Sequence, residues 1–105
     1  MATEFTSDTF KSVLESDKPV LVDFWGHGCP PCKRLGPVIE ELATDNDGKS
    51  VVGKVNVHDH QELAVEYEIT AIPTILVFKG GEVVGRLQGY QDKSQLQGLL
   101  DSASA

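Results

Sequence analysis

Residues Val20 to Lys33 have the sequence VLVDFWGHGCPPCK, and this stretch decides the fold and the chemistry that the rest of the chain supports. Val20 to Trp25 are apolar on both faces except at Asp23, which is typical of a strand buried between helices. The only two cysteines, Cys29 and Cys32, follow in a loop, and a helical pattern begins directly after them. A Cys-x-x-Cys at a strand-to-helix turn indicates a dithiol redox site.

Hydrophobic periodicity on both sides of this stretch predicts alternating helices and strands. The first helix is capped by Thr6 and ends near Asp17, with a short edge strand possible before it. The helix after Cys32 contains Pro37, where we expect a kink. The later elements are a strand over 51–57, a short helix opened by an Asp59–Glu62 capping box, strands over 75–78 and 83–87 joined by a hairpin at 79–82, and a last helix capped by Asp92 with Gln95.

Length and charge exclude several classes of protein. By its length of 105 residues the chain forms one domain, spanning 1–105. A net charge of −7 argues against nucleic acid or an anionic membrane as a partner. No basic segment followed by an apolar run opens the chain, so we expect a cytoplasmic protein. The absence of an exposed apolar stripe predicts a monomer.

The position of the cysteines suggests different roles for the two sulfurs. Cytosolic thiols are normally kept reduced, and a loop this short stabilises a fold little, so a catalytic pair is favoured over a structural disulfide. At a helix start, Cys29 lies near free backbone N–H groups and the positive end of the helix dipole, which favour its thiolate. Cys29 is therefore the expected nucleophile. Cys32, one turn further in, is expected to resolve the mixed disulfide.

Several separated motifs together resemble the thioredoxin family over nearly the whole chain. They are VLVDFW at 20–25, Cys-x-Pro-Cys-Lys at 29–33, Pro37 with EELA at 40–43, KVNV at 54–57, IPT at 72–74, FKGGE at 78–82, and Gly89. The resemblance implies an α/β thioredoxin fold, with a central mixed sheet of four to five strands flanked by four helices. It also implies protein dithiol-disulfide exchange without a cofactor, on disulfide-containing protein substrates, with electrons supplied by a thioredoxin-reductase-like donor.

The resemblance also implies roles for individual residues. Asp23 becomes the buried carboxylate that handles the Cys32 proton, and Lys54 the lysine near that carboxylate. Pro73 becomes a cis-proline facing the cysteines, which leaves the Ile72 backbone free to pair with an extended substrate. The other substrate-binding residues are Trp25, which shields the site, Gly89 on the docking rim, and the loop residues Gly28, Pro30 and Pro31.

Asp23 supports this interpretation on physical grounds alone. Burial raises the pKa of a carboxyl in an apolar strand, which brings it near neutral and makes it useful as a general base or acid. The alternative is a structural ion pair with Lys54. For Pro73, the ordinary expectation without the resemblance is a trans peptide bond at the entry of a strand.

The active-site loop departs from the family pattern. The thioredoxin signature is Trp-Cys-Gly-Pro-Cys, whereas residues 28–32 are Gly-Cys-Pro-Pro-Cys. A glycine at position 28 removes aromatic surface from the docking groove, which predicts altered partner choice. Pro30 offers no N–H to a thiolate, and Pro31 after it is expected to push Pro30 toward extended backbone. We therefore expect an altered reduction potential of unknown sign.

Two other functions remain open from the residues. A metal or iron-sulfur site would gather Cys29, Cys32 and histidines such as His27, His58 or His60, but no complete four-ligand zinc set is present. His27 can also favour the Cys29 thiolate when protonated, although a solvated loop residue is the simpler interpretation. The third function is a binding module that uses the same fold without redox chemistry.

Overall fold

The computed structural model describes residues 2–104, and a five-stranded sheet lies between two pairs of helices in it. In chain order the elements are β1 Thr3–Glu4, α1 Ser7–Leu14, β2 Val20–Trp25, α2 Pro30–Asp45, β3 Val51–Asn56, α3 Gln61–Glu66, β4 Thr74–Lys79, β5 Glu82–Gln88 and α4 Lys93–Ser104. The prediction of a mixed sheet with four helices is confirmed, and the sheet has five strands.

The strand order is β1-β3-β2-β4-β5, which makes β2 the central strand. β2 runs parallel to β3, with Asp23 opposite Lys54, and antiparallel to β4, with Asp23 opposite Ile75. β1 pairs in parallel with the outer edge of β3. The long crossover through α2 permits the parallel pairing, as expected for strand-helix-strand units.

The two faces of the sheet bury different cores. The aromatic face, which packs against α1 and α3, consists of Phe5, Phe10, Val20, Val22, Phe24, Val55, Leu63, Leu76 and Phe78. The aliphatic face, which packs against α2 and α4, consists of Leu21, Leu35, Ile39, Leu42, Val52, Ile75, Val77, Leu96 and Leu100. Because side chains alternate along a strand, Asp23 follows Leu21 onto the aliphatic face.

Local sequence rules explain two helix starts and the hairpin. Thr6 caps α1 in a capping box with Thr9, and its Oγ1 accepts the Thr9 N–H at 3.2 Å. Asp92 and Gln95 form the predicted capping box before α4, because each side chain accepts the other's backbone N–H. At the β4–β5 hairpin, Gly80 and Gly81 adopt φ values of 61° and 82°, which glycine tolerates best.

Three local predictions differ from the structure. The Asp59–Glu62 capping box is wrong: α3 has His60 at its N-cap without a side-chain bond, and the Glu62 carboxylate instead accepts the Ser7 hydroxyl of α1. The first helix ends at Leu14, before the predicted Asp17. β3 ends at Asn56, one residue short of the predicted strand.

No helix within residues 2–104 is both long enough and apolar enough to span a bilayer.

Candidate active site

The two cysteines lie where β2 passes into α2. Cys29 is the N-cap of α2 and has extended backbone, with φ −121° and ψ 97°. Cys29 and Cys32 are joined by a disulfide bond. The Cys29 sulfur also accepts the Cys32 backbone N–H at 3.2 Å. The Cys29 sulfur is therefore placed at the positive end of the helix, as the sequence predicts.

Pro30 corrects one prediction about this turn. It is the first residue of α2 rather than extended backbone, and Pro31 follows it within the helix. The first turn of a helix needs no intrahelical N–H donors, and the fixed φ of proline suits it. The residue that the proline rule pushes out of the helical region is Cys29, because it precedes Pro30.

Pro37 does not interrupt α2, which continues to Asp45. A proline inside a helix removes one N–H donor, and α2 accommodates this loss without ending at Pro37.

Behind the disulfide lies a buried carboxylate. Asp23 is 2% exposed, and its Oδ1 has no hydrogen-bond partner among the described residues. Desolvation by burial raises the pKa of Asp23 to about 7, against the opposing effect of Lys54. Asp23, Cys29 and Cys32 line one cavity of about 780 Å³. A group that gains and loses a proton near neutral pH thus shares a cavity with the buried Cys32.

Lys54 also lines this cavity, but it does not form the ion pair with Asp23 that the structural alternative requires. Its Nζ lies 3.5 Å from the carboxylate of Glu4 and 3.5 Å from that of Glu40. It also lies 5.6 Å from the centre of the Trp25 ring. Among residues 2–104, these two glutamates are the acidic partners within ion-pair distance of Lys54.

Three of the predicted substrate-binding residues lie close together near Cys29: Ile72, Pro73 and Gly89. The Ile72–Pro73 peptide bond is cis. The Ile72 carbonyl oxygen lies 3.7 Å from the Cys29 sulfur. Gly89 has a φ of 84°, and its N–H donates to the Pro73 carbonyl at 2.8 Å. The loop before β4 and the end of β5 are therefore joined directly beside the disulfide.

Three of the four other predicted substrate-binding residues line the cavity. Trp25, Gly28 and Pro30 line it, whereas Pro31 is not among its lining residues. The Trp25 Nε1 is buried without a hydrogen-bond partner in the part of the chain that the structure describes. His27 is exposed and packs edge-on against Trp25, with ring centres 5.0 Å apart.

Of the three histidines, only His27 lines the cavity that contains the cysteines. His58 packs against Gly26, where an added Cβ would lie 2.6 Å from its Nε2. His60 lies beside α1, with Nδ1 3.1 Å from the Ser7 hydroxyl. Within residues 2–104, no group of three or more His, Cys, Asp or Glu side chains is arranged to hold a metal ion.

The sequence interpretation missed Glu4 and Glu40 as neighbours of the site. Glu4 reaches Lys54 because β1 pairs with β3 in a register that places the two residues opposite each other. Glu40 projects from α2 and also accepts the Ala2 backbone N–H at 2.7 Å. A two-residue strand gives almost no periodic signal, so only the pairing register could have found this contact.

Comparison with known proteins gives a consistent result. The thioredoxin family model matches residues 1–102. This chain belongs to the thioredoxin family. It is 46% identical to a thioredoxin of Chlorobaculum thiosulfatiphilum over 99 residues, which cover 93% of this chain and 92% of the relative. It is 44% identical to a thioredoxin of Alicyclobacillus acidocaldarius over 95 residues, which cover 90% of each protein.

A solved structure extends this result to the fold. The thioredoxin of Malassezia sympodialis superposes with a TM-score of 0.89 at 36% identity, covering 100% of this chain and 92% of its own. Family membership and the Cys29–Cys32 pair together make this chain a thiol-disulfide oxidoreductase of the thioredoxin type.

Proposed function

We propose that this protein reduces disulfides in partner proteins through a mixed disulfide, with Asp23 as the proton acceptor for Cys32. The Cys29 thiolate attacks a substrate disulfide, so that the substrate S–S bond breaks and a Cys29–substrate bond forms. The Cys32 thiol gives its proton to the Asp23 carboxylate and attacks the Cys29 sulfur. The second substrate thiol leaves, and the Cys29–Cys32 disulfide remains.

The observation that carries this proposal is the unpartnered Asp23 carboxylate in the same cavity as both cysteines. A buried carboxyl without a hydrogen-bond partner costs stability, and a pKa of about 7 suits proton transfer at neutral pH. Lys54 contributes positive charge at the rim of the same cavity. A purely structural ion pair would bring its ammonium to Asp23 rather than to Glu4 and Glu40.

Substrate binding is proposed along the loop that contains the cis-proline. Among the described residues, no backbone hydrogen bond uses the N–H or the carbonyl of Ile72. An extended substrate peptide can therefore pair with Ile72 while its sulfur approaches Cys29. Gly89 holds this edge in place by donating its N–H to the Pro73 carbonyl.

We further propose a changed reduction potential and a changed choice of partner. Gly28 presents no side chain to the groove, and Pro30 contributes no N–H to the Cys29 sulfur. A thioredoxin-reductase-like enzyme would return two electrons to the disulfide. The protein would act as a cytoplasmic monomer on proteins rather than on nucleic acid or membranes, in keeping with its net charge of −7.

Trapping distinguishes the roles of the two cysteines. Cys32→Ser is expected to accumulate a covalent complex with a disulfide-containing model protein, because the resolving thiol is absent. Cys29→Ser is expected to form no complex and to have no reductase activity with dithiothreitol as the electron donor. A Cys32→Ser protein that still turned over, or a Cys29→Ser protein that was trapped, would contradict the assigned order of attack.

The proposed change in potential has its own test. The wild type and the Pro30→Gly variant are equilibrated in glutathione buffers and followed through Trp25 fluorescence. A difference of about 30 mV would correspond to about 1.4 kcal/mol. Identical potentials in the two proteins would show that Pro30 does not change the reduction potential.

A further inference from the structure

Lys54 is the nearest cationic residue to Asp23 in the sheet, yet it is turned toward other carboxylates. The two residues are direct register partners on β3 and β2. Neighbouring residues in a parallel pair lie close enough for a lysine to reach a carboxylate. The Lys54 ammonium nevertheless lies 3.5 Å from Glu4 and 3.5 Å from Glu40, while the Asp23 Oδ1 has no partner among residues 2–104.

The fold places both glutamates beside Lys54. Glu4 lies in β1 directly opposite Lys54. The Glu40 carboxylate accepts the Ala2 backbone N–H at 2.7 Å, which ties the start of the chain to α2. The Trp25 ring, 5.6 Å from the Lys54 Nζ, supports the ammonium in the same position. The ammonium is therefore held by two anions and one aromatic ring.

We propose that Glu4 and Glu40 are positioning residues that hold the Lys54 ammonium at the rim of the cavity, beyond ion-pair distance of the Asp23 carboxyl. This inference rests on the proposed function, in which Asp23 must be able to accept a proton. An opposite charge within about 4–6 Å lowers the pKa of a carboxyl by 1–3 units. If Lys54 were released to Asp23, Asp23 would stay ionised to a lower pH.

The charged groups around Asp23 are few. From β3 it faces Lys54, and from β1 the Glu4 carboxylate raises its pKa. From α2, Cys32 and Lys33 line the same cavity, with Glu40 beyond Lys54, and His27 lines it from the loop before α2. From β4 its register partner is the apolar Ile75. Lys93 of α4 pairs with Glu41 and Asp45 instead.

The test is the titration of Asp23 in the oxidised protein, where neither cysteine carries a thiol. The ¹³C chemical shift of the Asp23 carboxyl is followed against pH in the wild type and in the Glu4→Gln/Glu40→Gln double variant. Both substitutions keep the side-chain shape and the acceptor for the Ala2 N–H. We expect the midpoint to fall by roughly one pH unit in the double variant. An unchanged midpoint would overturn the proposal.

Glu41→Gln provides the matched control. Glu41 is next to Glu40 on α2 and carries the same charge, but it binds Lys93 at 2.6 Å. Removal of the Glu41 charge is expected to leave the Asp23 midpoint within about 0.2 pH unit of the wild-type value, because solvent and salt screen a charge that is exposed and distant from Asp23. A shift as large as that of the double variant would mean that the loss of any negative charge on α2, and not the release of Lys54, moves the Asp23 midpoint.

A second background separates positioning from the direct field of the glutamates. With Lys54→Met, the double substitution at Glu4 and Glu40 is expected to move the midpoint much less than in the wild type. An equal shift in both backgrounds would show that the glutamates act on Asp23 directly and would overturn the positioning role. If instead the midpoint moves as expected but the pH profile of disulfide exchange does not follow it, the positioning stands and the proposed role of Asp23 fails.

Discussion

The aromatic and aliphatic faces of the sheet differ in whether they bury polar atoms without hydrogen-bond partners. On the aromatic face, Phe10 contacts four other rings, Phe5, Phe24, Tyr67 and Phe78, at centroid distances of 6.1, 6.4, 5.6 and 5.7 Å. On the aliphatic face, the same central strand buries Asp23, and both Asp23 Oδ1 and Trp25 Nε1 lack partners within the described part of the chain. Both faces bury apolar clusters, but the aliphatic face also gives up stability at Asp23, beside the cysteines.

The largest effect is expected from Phe10→Ala on the aromatic face. The Phe10 side chain is 1% exposed, so its removal leaves a cavity among packed rings and is expected to cost about 3–5 kcal/mol. Urea unfolding measures this loss. The disulfide reductase activity of the folded fraction is expected to stay at the wild-type level, because Phe10 does not line the active-site cavity.

The control for this prediction is Val65→Ala. Val65 is 77% exposed on α3, so its truncation is expected to change stability by less than about 0.5 kcal/mol. If Phe10→Ala were as mild as this control, the aromatic face would not be the main source of stability.

In contrast to Phe10→Ala, a substitution at Asp23 on the aliphatic face is expected to increase the free energy of unfolding. Asp23→Asn is expected to stabilise the protein above pH 7, because the buried carboxyl no longer has to ionise. A pKa raised from 3.8 to about 7 corresponds to at most about 4 kcal/mol. Since the raised pKa means that the folded state binds the proton more tightly, the wild type loses this stability as the pH rises from about 4 to about 7.

Urea unfolding of both proteins at pH 4 and pH 8 checks the sign. The stability difference between Asp23→Asn and the wild type is expected to be near zero at pH 4 and largest at pH 8. A difference that was constant with pH would contradict a raised Asp23 pKa.

A smaller effect is expected at the start of α1, which packs against the aromatic face. Thr6→Ala removes the acceptor of the Thr9 N–H and one half of the capping box. The expected loss is about 1 kcal/mol by thermal or urea unfolding, with no change in exchange activity. Thr70→Ala, at an exposed loop position, is the matched control. An equal loss of stability in this variant would show that the effect of Thr6→Ala does not come from the helix cap.

Much of the fold follows from patterns that act over a few residues. The apolar run at Val20–Trp25, the cap at Thr6, the glycine pair of the hairpin and the Asp92–Gln95 box all lie where local rules place them. The cap at Thr6, the glycine pair and the Asp92–Gln95 box depend on backbone groups within about four positions. The caps and the hairpin can be predicted because they need no partner from a distant part of the chain. The apolar run can be predicted because a strand buried on both faces requires apolar residues on both.

The failures occur where long-range contacts decide. Glu62 has the right spacing for a cap with Asp59, but the Ser7 hydroxyl on α1 takes its carboxylate. Lys54 lies opposite Asp23 and lines the same cavity, as the resemblance implies. The contact of its ammonium with Glu4, fifty residues away in sequence, depends on the β1–β3 register and could not be predicted. Pro30 is an exception, since two local preferences compete there: the suitability of proline for the first turn of α2 outweighs the preference of a residue before proline for extended backbone.

The measurement that tests the central claim most directly is the pH dependence of mixed-disulfide resolution in the wild type and in Asp23→Asn. A Cys29-linked mixed disulfide is prepared, and the attack by Cys32 is followed through Trp25 fluorescence. With Asp23 as proton acceptor, the wild-type rate is expected to rise as the pH passes about 7. The Asn variant is expected to be roughly 10-fold slower or more at neutral pH. Its rate would rise only at higher pH, where the Cys32 thiol ionises without a proton acceptor. Coinciding profiles would contradict the account.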